Sequence, residues 1–317
     1  MKTYLLSAIV AFAISFVSCF IWIPILRRLK AGQNILVYVK EHAGKGGTPT
    51  MGGVAFIFAA VLTSIFFFPH MQKPFVLSLS IGLAYMGVGL LDDFLKWKRR
   101  QNLGLRAWQK FSFQCVIAVF VGIYCWRDGL TWLNFPFVNY RLDIGFWMLP
   151  LSVLVFLSTV NAVNLTDGLD GLAASTSIPF FGAFGVLIAM QAQGESLSII
   201  SFALVGALAA YLLFNTYPAS VFMGDTGSLS LGGFAAAIAL FSGNALYLLI
   251  IGACFVFSVI SVLVQVIYYK TTGGKRVFLM APIHHHFQKK GYSECKISYA
   301  YFAITFVLGA VCVLTKI

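Results

Sequence analysis

Five aspartates adjoin the ends of long apolar runs in this 317-residue chain, namely Asp92, Asp93, Asp167, Asp170 and Asp225. An ionisable side chain in or beside hydrocarbon costs about 2.5–3.5 kcal/mol, so it is usually retained for a function. Carboxylates without cysteine or histidine at chelating spacing favour magnesium or manganese over zinc. Because lysines and arginines surround these aspartates, the pattern indicates a polyanion held together with a hard cation.

Asp92 and Asp93 are adjacent at the end of one apolar run. Adjacent side chains on a helix point about 100° apart, so we expect one of the two to bind a metal ion while the other acts as a base. A second interpretation is a solvated pair at a helix end, salt-bridged to Lys96 and Arg99.

Polar residues recur at every third position in the middle of the chain. Asn164, Asp167 and Asp170 would cover one arc of about 120° on a helix, and Gly168 and Gly171 permit a break there. Such a stripe between two apolar runs is hard to explain by packing alone, so it is a candidate binding site.

Three consecutive histidines occur at 284–286. They cannot share one helix face, so zinc chelation is weakly indicated, and contacts to phosphate or a base fit better than an accidental surface cluster.

The glycine-rich segment 44–53 contains Lys45 and Thr50. It lacks the order of a P-loop, but a flexible loop of this composition can close over a phosphate, or simply be an interhelical turn.

The elements that position these residues are transmembrane helices. The chain is 60% hydrophobic and 10% charged, with a mean hydropathy of +0.88, which excludes a soluble, disordered or disulfide-stapled fold. A span takes roughly 20 apolar residues. Nine stretches without Lys, Arg, Asp or Glu occur, at 3–26, 46–72, 74–91, 111–126, 144–166, 171–194, 196–224, 226–269 and 297–315. The eighth is long enough for two helices around a break at 242–244, so we expect an all-α polytopic membrane protein of about ten helices, forming a single catalytic domain over 1–317.

The distribution of positive charge predicts the orientation. Seventeen of the 22 lysines and arginines fall in the odd-numbered loops, and positive loops tend to stay in the cytoplasm. We therefore expect both termini on the outer side and the aspartates and histidines at the cytoplasmic face. We also expect the first apolar run to be a retained helix rather than a cleaved signal peptide.

Six motifs, in order along the whole chain, closely resemble the phospho-N-acetylmuramoyl-pentapeptide-transferase family of the polyprenyl-phosphate N-acetylhexosamine-1-phosphate transferase superfamily. They are Thr48-Pro-Thr-Met-Gly-Gly53, Leu91-Asp-Asp-Phe94, Gln101-Asn-Leu-Gly-Leu-Arg106, Asn161-Ala-Val-Asn-Leu-Thr-Asp-Gly-Leu-Asp-Gly171, Met223-Gly-Asp-Thr-Gly-Ser228 and Ala281-Pro-Ile-His-His-His-Phe287. The histidine motif is what separates this family from its relatives.

The resemblance implies a magnesium-dependent transfer from UDP-N-acetylmuramoyl-pentapeptide to undecaprenyl phosphate, which yields lipid I and UMP. It further implies a multi-pass protein of the bacterial cytoplasmic membrane, in contact with membrane lipid, working as a homodimer and without a nucleic-acid partner. A related hexosamine-phosphate transferase, an intramembrane prenyltransferase and a transporter remain as alternatives.

The resemblance also implies roles for particular residues. Asp92, Asp93, Asp225 and His285 are the expected catalytic residues, with Asp92 orienting the lipid phosphate and Asp225 binding magnesium. The expected substrate-binding residues are Lys45, Thr50, Asn164, Asp167, Gly168, Leu169, Asp170, Asn215, Phe222, His284 and His286. Within that set, the resemblance implies a uridine pocket formed by Gly168, Leu169, Asp170, Asn215 and Phe222, with Phe222 stacking on uracil. We expect a single displacement, and a two-step route through an aspartyl-phosphate is the competing mechanism.

Overall fold

The computed structural model describes residues 1–32, 47–68, 70, 72–101, 103–191 and 194–316. Nearly all of the regular structure in these ranges is helical. The helices are α1 (Lys2–Arg28), α2 (Gly53–Phe67), α3 (Lys73–Arg99), α4 (Ala107–Arg127), α5 (Met148–Thr166), α6 (Leu172–Ala189), α7 (Glu195–Asn215), α8 (Gly224–Phe241), α9 (Tyr247–Ile251), α10 (Ala253–Thr271), α11 (Ile283–Lys289) and α12 (Glu294–Leu314).

Eight of the described helices are long and apolar enough to cross a membrane. They are α1, α3, α4, α5 with the short 3-10 turn before it, α6, α7, α10 and α12. The helix α2 is apolar but has only 15 residues, and α8 has 18. The chain is therefore a polytopic helical membrane protein, while the count of ten spans stays a prediction.

One small element departs from the all-α expectation. The strands β1 (Trp132–Asn134) and β2 (Arg141–Asp143) form an antiparallel hairpin between α4 and α5, with Leu133 opposite Leu142. The uncharged stretches that predicted the spans carry no signal for three-residue strands, so the hairpin was not predicted.

The core lies around α8, in which every residue from Thr226 to Phe241 is buried. It packs against α3 and α5. Small residues permit the close approach: a Cβ added to Gly89 of α3 would lie 2.1 Å from the backbone oxygen of Asp225. The predicted break at 242–244 is present, because α8 ends at Phe241 and Gly243 adopts a positive φ of 71°.

The helical bundle has two distinct ends. At one end, Lys73 of α3 pairs with Asp128, and Asn134 of β1 donates to Asn244. We call this the hairpin end. The helix α3 runs from there to Asp92 and Asp93 near its C-terminus, and α8 starts beside them with Asp225. We call that second end the aspartate end.

Candidate active site

Three carboxylates from α3 and α8 meet at the aspartate end. The oxygen atoms that Asp92, Asp93 and Asp225 offer lie within 4.8 Å of one another, and the two α3 residues are each only 2% exposed. Both side chains of the adjacent pair lie close enough to Asp225 to share one ion with it, despite their separation of about 100° on α3. The division of roles between a metal ligand and a base stays a prediction.

Two lysines contact this aspartate cluster. The Nζ of Lys96 lies 2.7 Å from Asp92 and 2.9 Å from Asp225, and the Nζ of Lys110 lies 2.7 Å from Asp225. The alternative interpretation is wrong in expecting solvated carboxylates, because both are buried, but the salt bridge to Lys96 that it named is present. No motif in the sequence connected Lys110 with the aspartates.

Neutral donors fix the orientation of each carboxylate. The backbone N–H of Leu105 donates to Asp92 at 2.8 Å. Thr226 donates to Asp93 through both its N–H, at 2.9 Å, and its hydroxyl, at 2.7 Å. The side-chain amide of Asn164 donates to Asp225 at 2.6 Å. Each acidic group is thus held in one rotamer before any ligand binds.

The donor set of the aspartate cluster fits a hard divalent cation. It consists of carboxylate oxygens, which suit magnesium, and its members would repel one another without positive charge between them. Lys96 and Lys110 supply that charge here. Both ammonium groups are also placed to contact the oxygens of a phosphate bound at the cluster.

The polar positions 164, 167 and 170 do not lie on one continuous helix, because the chain leaves the helical conformation at the break that the glycines permit. The helix α5 ends at Thr166, and Gly171 has a φ of 72° just before α6. Asn164 lies on the helix while Asp167 follows its end. Asp167 is half-buried, and burial together with the charges of Asp225 and Asp93 raises its pKa well above the usual value.

The segment 167–171 is tied to the chain that precedes α8. The carboxylate of Asp170 accepts from the N–H of Ala219 at 3.0 Å. The buried Asn215 accepts from the N–H of Gly171 and donates to the carbonyl of Val221. Leu169 is buried at the edge of this segment. The predicted uridine-pocket residues of 168–170 and 215 are therefore brought together.

Thr50 and Phe222 lie on two paired segments beside the cluster. Phe222 donates its N–H to Pro49 at 2.8 Å and accepts from Gly52 at 2.9 Å. A Cβ on Gly224, which has a φ of +71°, would lie 2.6 Å from the hydroxyl of Thr50. Lys45 lies outside the described residues.

The three histidines do not act as one group. His284 and His285 face the 167–171 segment, since a Cβ on Gly168 would lie 2.6 Å and 2.9 Å from their Nε2 atoms. His286 turns away, and its Nδ1 accepts from the N–H of Leu279. His284 is fully buried, and burial, with the neighbouring His285, lowers its pKa to about 3.

The chain is similar to known proteins over nearly its whole length. Residues 74–243 match the model of glycosyl transferase family 4, and residues 45–57 match phospho-N-acetylmuramoyl-pentapeptide-transferase signature 1. A phospho-N-acetylmuramoyl-pentapeptide-transferase of Listeria monocytogenes is 45% identical over 95% of this chain and 94% of its own length. A protein of the same name from Bacillus subtilis is 42% identical over 97% of this chain and 96% of its own length. Another, from Clostridium botulinum, is 41% identical over 96% of this chain and 94% of its own length.

Proposed function

The chain belongs to the phospho-N-acetylmuramoyl-pentapeptide-transferase family, and from this premise we propose that it transfers phospho-N-acetylmuramoyl-pentapeptide from UDP to undecaprenyl phosphate. The observation that carries the proposal is the buried aspartate cluster with its two lysines, next to the segment expected to bind uridine. The prenyltransferase and transporter alternatives lose their support, since relatives that align over nearly the whole chain are named as this transferase.

The reaction is a substitution at phosphorus. An oxygen of the lipid phosphate forms a bond to the β-phosphorus of the UDP-sugar, and the bond from that phosphorus to the bridging oxygen breaks. UMP leaves with the electron pair, and the product is a lipid diphosphate-sugar. Such a transfer needs positioning and charge neutralisation more than covalent chemistry by the protein.

The aspartate cluster and its lysines supply that positioning. We propose Asp225 as the principal magnesium ligand, with Asp93 beside it, and Asp92 as the group that orients the lipid phosphate. Magnesium, when bound there, supplies Lewis-acid neutralisation of the diphosphate charge. Lys96 and Lys110 contact the same carboxylates and are placed to bind phosphate oxygens during the transfer.

The remaining predicted residues are proposed to bind the nucleotide and sugar. Phe222 is half-buried beside the cluster, so its ring can stack on uracil, while the 168–170 segment and Asn215 form the rest of the pocket. Asn164 and Asp167 continue the polar surface to the cluster. His284 and His285 contact the sugar-nucleotide from the other side of Gly168. His286 acts indirectly, by holding the loop at Leu279.

We also propose the setting in which the reaction occurs. The protein is a single domain of ten spans in the bacterial cytoplasmic membrane, with both termini outside and the aspartate end in the cytoplasm, where UDP-sugars are made. It works as a homodimer. The charge asymmetry of the loops supports the orientation.

A release assay tests this function. The protein in detergent is given UDP-N-acetylmuramoyl-pentapeptide, with and without undecaprenyl phosphate and with and without magnesium. We expect uridine nucleotide to appear as UMP only when both are present. Release of pyrophosphate, or UMP release that ignores the lipid, would contradict the proposal.

A further inference from the structure

Four groups form a line of hydrogen bonds that runs from the histidine motif to the 167–171 segment. The Nδ1 of His285 lies 3.1 Å from the Oε1 of Gln288. The Nε2 of Gln288 donates to the Oε1 of Glu294 at 3.2 Å, and the Oε2 of Glu294 accepts from the N–H of Asp170 at 2.8 Å. The line joins α11 to the first residue of α12 and then to the segment 167–171.

Chemistry alone fixes the direction of these bonds. A backbone N–H only donates and a carboxylate only accepts, so Glu294 accepts a hydrogen bond from both of these partners. The amide of Gln288 must therefore turn its NH2 group toward Glu294 and its oxygen toward His285. An amide oxygen accepts, so the Nδ1 of His285 must carry a proton.

We propose that Glu294, acting through Gln288, keeps a proton on Nδ1 of His285. The Nε2 atom of the neutral ring is then free of a proton and accepts a hydrogen bond from the substrate. The Nε2 of His285 is the atom that faces Gly168, 2.9 Å from where a Cβ would lie. The inference rests on the proposed function, because it takes His285 as a substrate contact. Gln288 and Glu294 are positioning residues that act through His285.

Burial makes the arrangement selective. Glu294 is 7% exposed and His285 is 9% exposed, so little water is present to satisfy a reversed bond. A buried polar atom left without its hydrogen bond costs about 1–3 kcal/mol. The other tautomer, with its proton on Nε2 alone, would place two acceptors face to face at Nδ1 and Gln288. The hydrogen bonds that begin at the N–H of Asp170 therefore decide whether the Nε2 of His285 accepts or donates a hydrogen bond toward the ligand.

The variant Glu294→Gln should reverse the donor and acceptor roles in the two hydrogen bonds between position 294 and His285. The new amide must turn its oxygen to the N–H of Asp170, which leaves its NH2 group for Gln288. Gln288 then accepts with its oxygen and presents its own NH2 group to His285. The Nδ1 of His285 becomes an acceptor, and the proton of the neutral ring moves to Nε2. Each of the three hydrogen bonds between Asp170 and His285 still has a donor and an acceptor in this variant.

A swap of the two side chains should restore the original state. In the double variant Gln288→Glu/Glu294→Gln, the carboxylate at position 288 accepts from Nδ1–H of His285 and from the new amide at position 294. That amide still accepts from Asp170 through its oxygen. The matched control is Glu195→Gln, which makes the same exchange at the first residue of the exposed start of α7.

The measurement is the 15N spectrum of histidine-labelled protein without substrate at pH 8, with the His285 signals assigned by their loss in His285→Gln. We expect the Nδ1–H form in the wild type, the control and the swap, and the Nε2–H form in Glu294→Gln. Turnover of Glu294→Gln should fall about 10–100-fold, by analogy with groups that orient metal-bound histidines, and recover in the swap.

Two results would overturn the proposal: an Nε2–H tautomer in the wild type, or a reversed tautomer in Glu294→Gln with unchanged turnover. The spectrum is recorded on resting protein. A failure of the proposed transfer reaction would therefore leave the tautomer result standing, and the two failures can be told apart.

Discussion

Asp225 receives hydrogen bonds from three side chains, those of Asn164, Lys96 and Lys110, at 2.6–2.9 Å. The sequence predicted a functional role for this aspartate because an ionisable group beside an apolar run is costly to keep near hydrocarbon. It named Lys96 as a salt-bridge partner of the Asp92–Asp93 pair but did not predict Lys110, which comes from α4 and approaches α8 only in three dimensions. The sequence likewise missed Thr226, Gln288 and Glu294, whose roles follow from the hydrogen bonds that they make in the folded chain.

Replacing Asp225 with Asn tests the catalytic role of this carboxylate. The change keeps the size but removes the charge that magnesium and the lysines need, so turnover should fall by about 10²–10³-fold, as for other preorganised electrostatic groups. Turnover is measured as UMP release, with thermal melting as the check on folding. The control is Asp128→Asn at the hairpin end, where the carboxylate pairs with Lys73. Near-normal magnesium-dependent turnover of Asp225→Asn would remove the metal assignment.

His284 should make the stability of the protein sensitive to acid. Its pKa is about 3 in the folded state against an ordinary 6.5, so the folded protein prefers the neutral ring. That stabilisation is fully present above pH 6.5 and is lost as the pH falls toward 3, by up to about 1.4 kcal/mol per pH unit.

We therefore expect His284→Phe to lose less melting temperature than the wild type between pH 7 and pH 4. Melting is followed in detergent, and His286→Phe, which removes a more exposed neighbour, should keep the wild-type slope. An unchanged slope in His284→Phe would show that this ring is not held neutral by burial.

At the scale of elements, the crossing of α3 and α8 sets the position of the aspartate cluster. Gly89 lets the backbone of Asp225 approach α3, because a Cβ there would come within 2.1 Å of the Asp225 carbonyl oxygen. We expect Gly89→Ala to destabilise the protein by about 1–3 kcal/mol, the usual cost of overpacking, and to lower turnover as Asp225 is displaced.

Gly87 is the matched control for Gly89 on the same helix. A Cβ there meets nothing within 4 Å, so Gly87→Ala should leave the melting temperature unchanged or raise it slightly, since alanine favours helix by up to about 1 kcal/mol. Both variants are compared by melting temperature and UMP release. Equal behaviour of the two would show that this crossing does not position the cluster.

The apolar runs predicted most of the elements but not their junctions. The uncharged run 111–126 has only 16 residues, yet α4 covers Ala107–Arg127, because Lys110 lies inside the helix and pairs with Asp225 rather than marking the end of the span. The run 226–269 divides at 242–244 as predicted, and again at Gly252, which stands between α9 and α10. Short elements such as α11 and the hairpin depend on local hydrogen bonds that hydropathy does not report.

At the scale of the whole molecule, the two ends of the bundle should face opposite sides of the membrane. We expect an impermeant thiol reagent on intact cells to label a cysteine placed at Asn139 of the hairpin end, but not one at Gln101 or Lys275. All three positions are exposed. The background first needs its six native cysteines replaced. Labelling of Gln101→Cys or Lys275→Cys from outside would place the catalytic end away from the cytoplasmic nucleotide supply.

The fate of the β-phosphorus tests the central claim most directly, because it reports donor, acceptor and mechanism together. The protein is incubated with magnesium, undecaprenyl phosphate and UDP-N-acetylmuramoyl-pentapeptide carrying 32P at the β-position, then quenched in acid and partitioned into butanol. We expect the label in the lipid fraction, one UMP per labelled lipid, none on the protein, and no transfer by Asp225→Asn. Label bound covalently to the protein would establish the two-step route, and label that stays in water with pyrophosphate would contradict the phospho-sugar transfer itself.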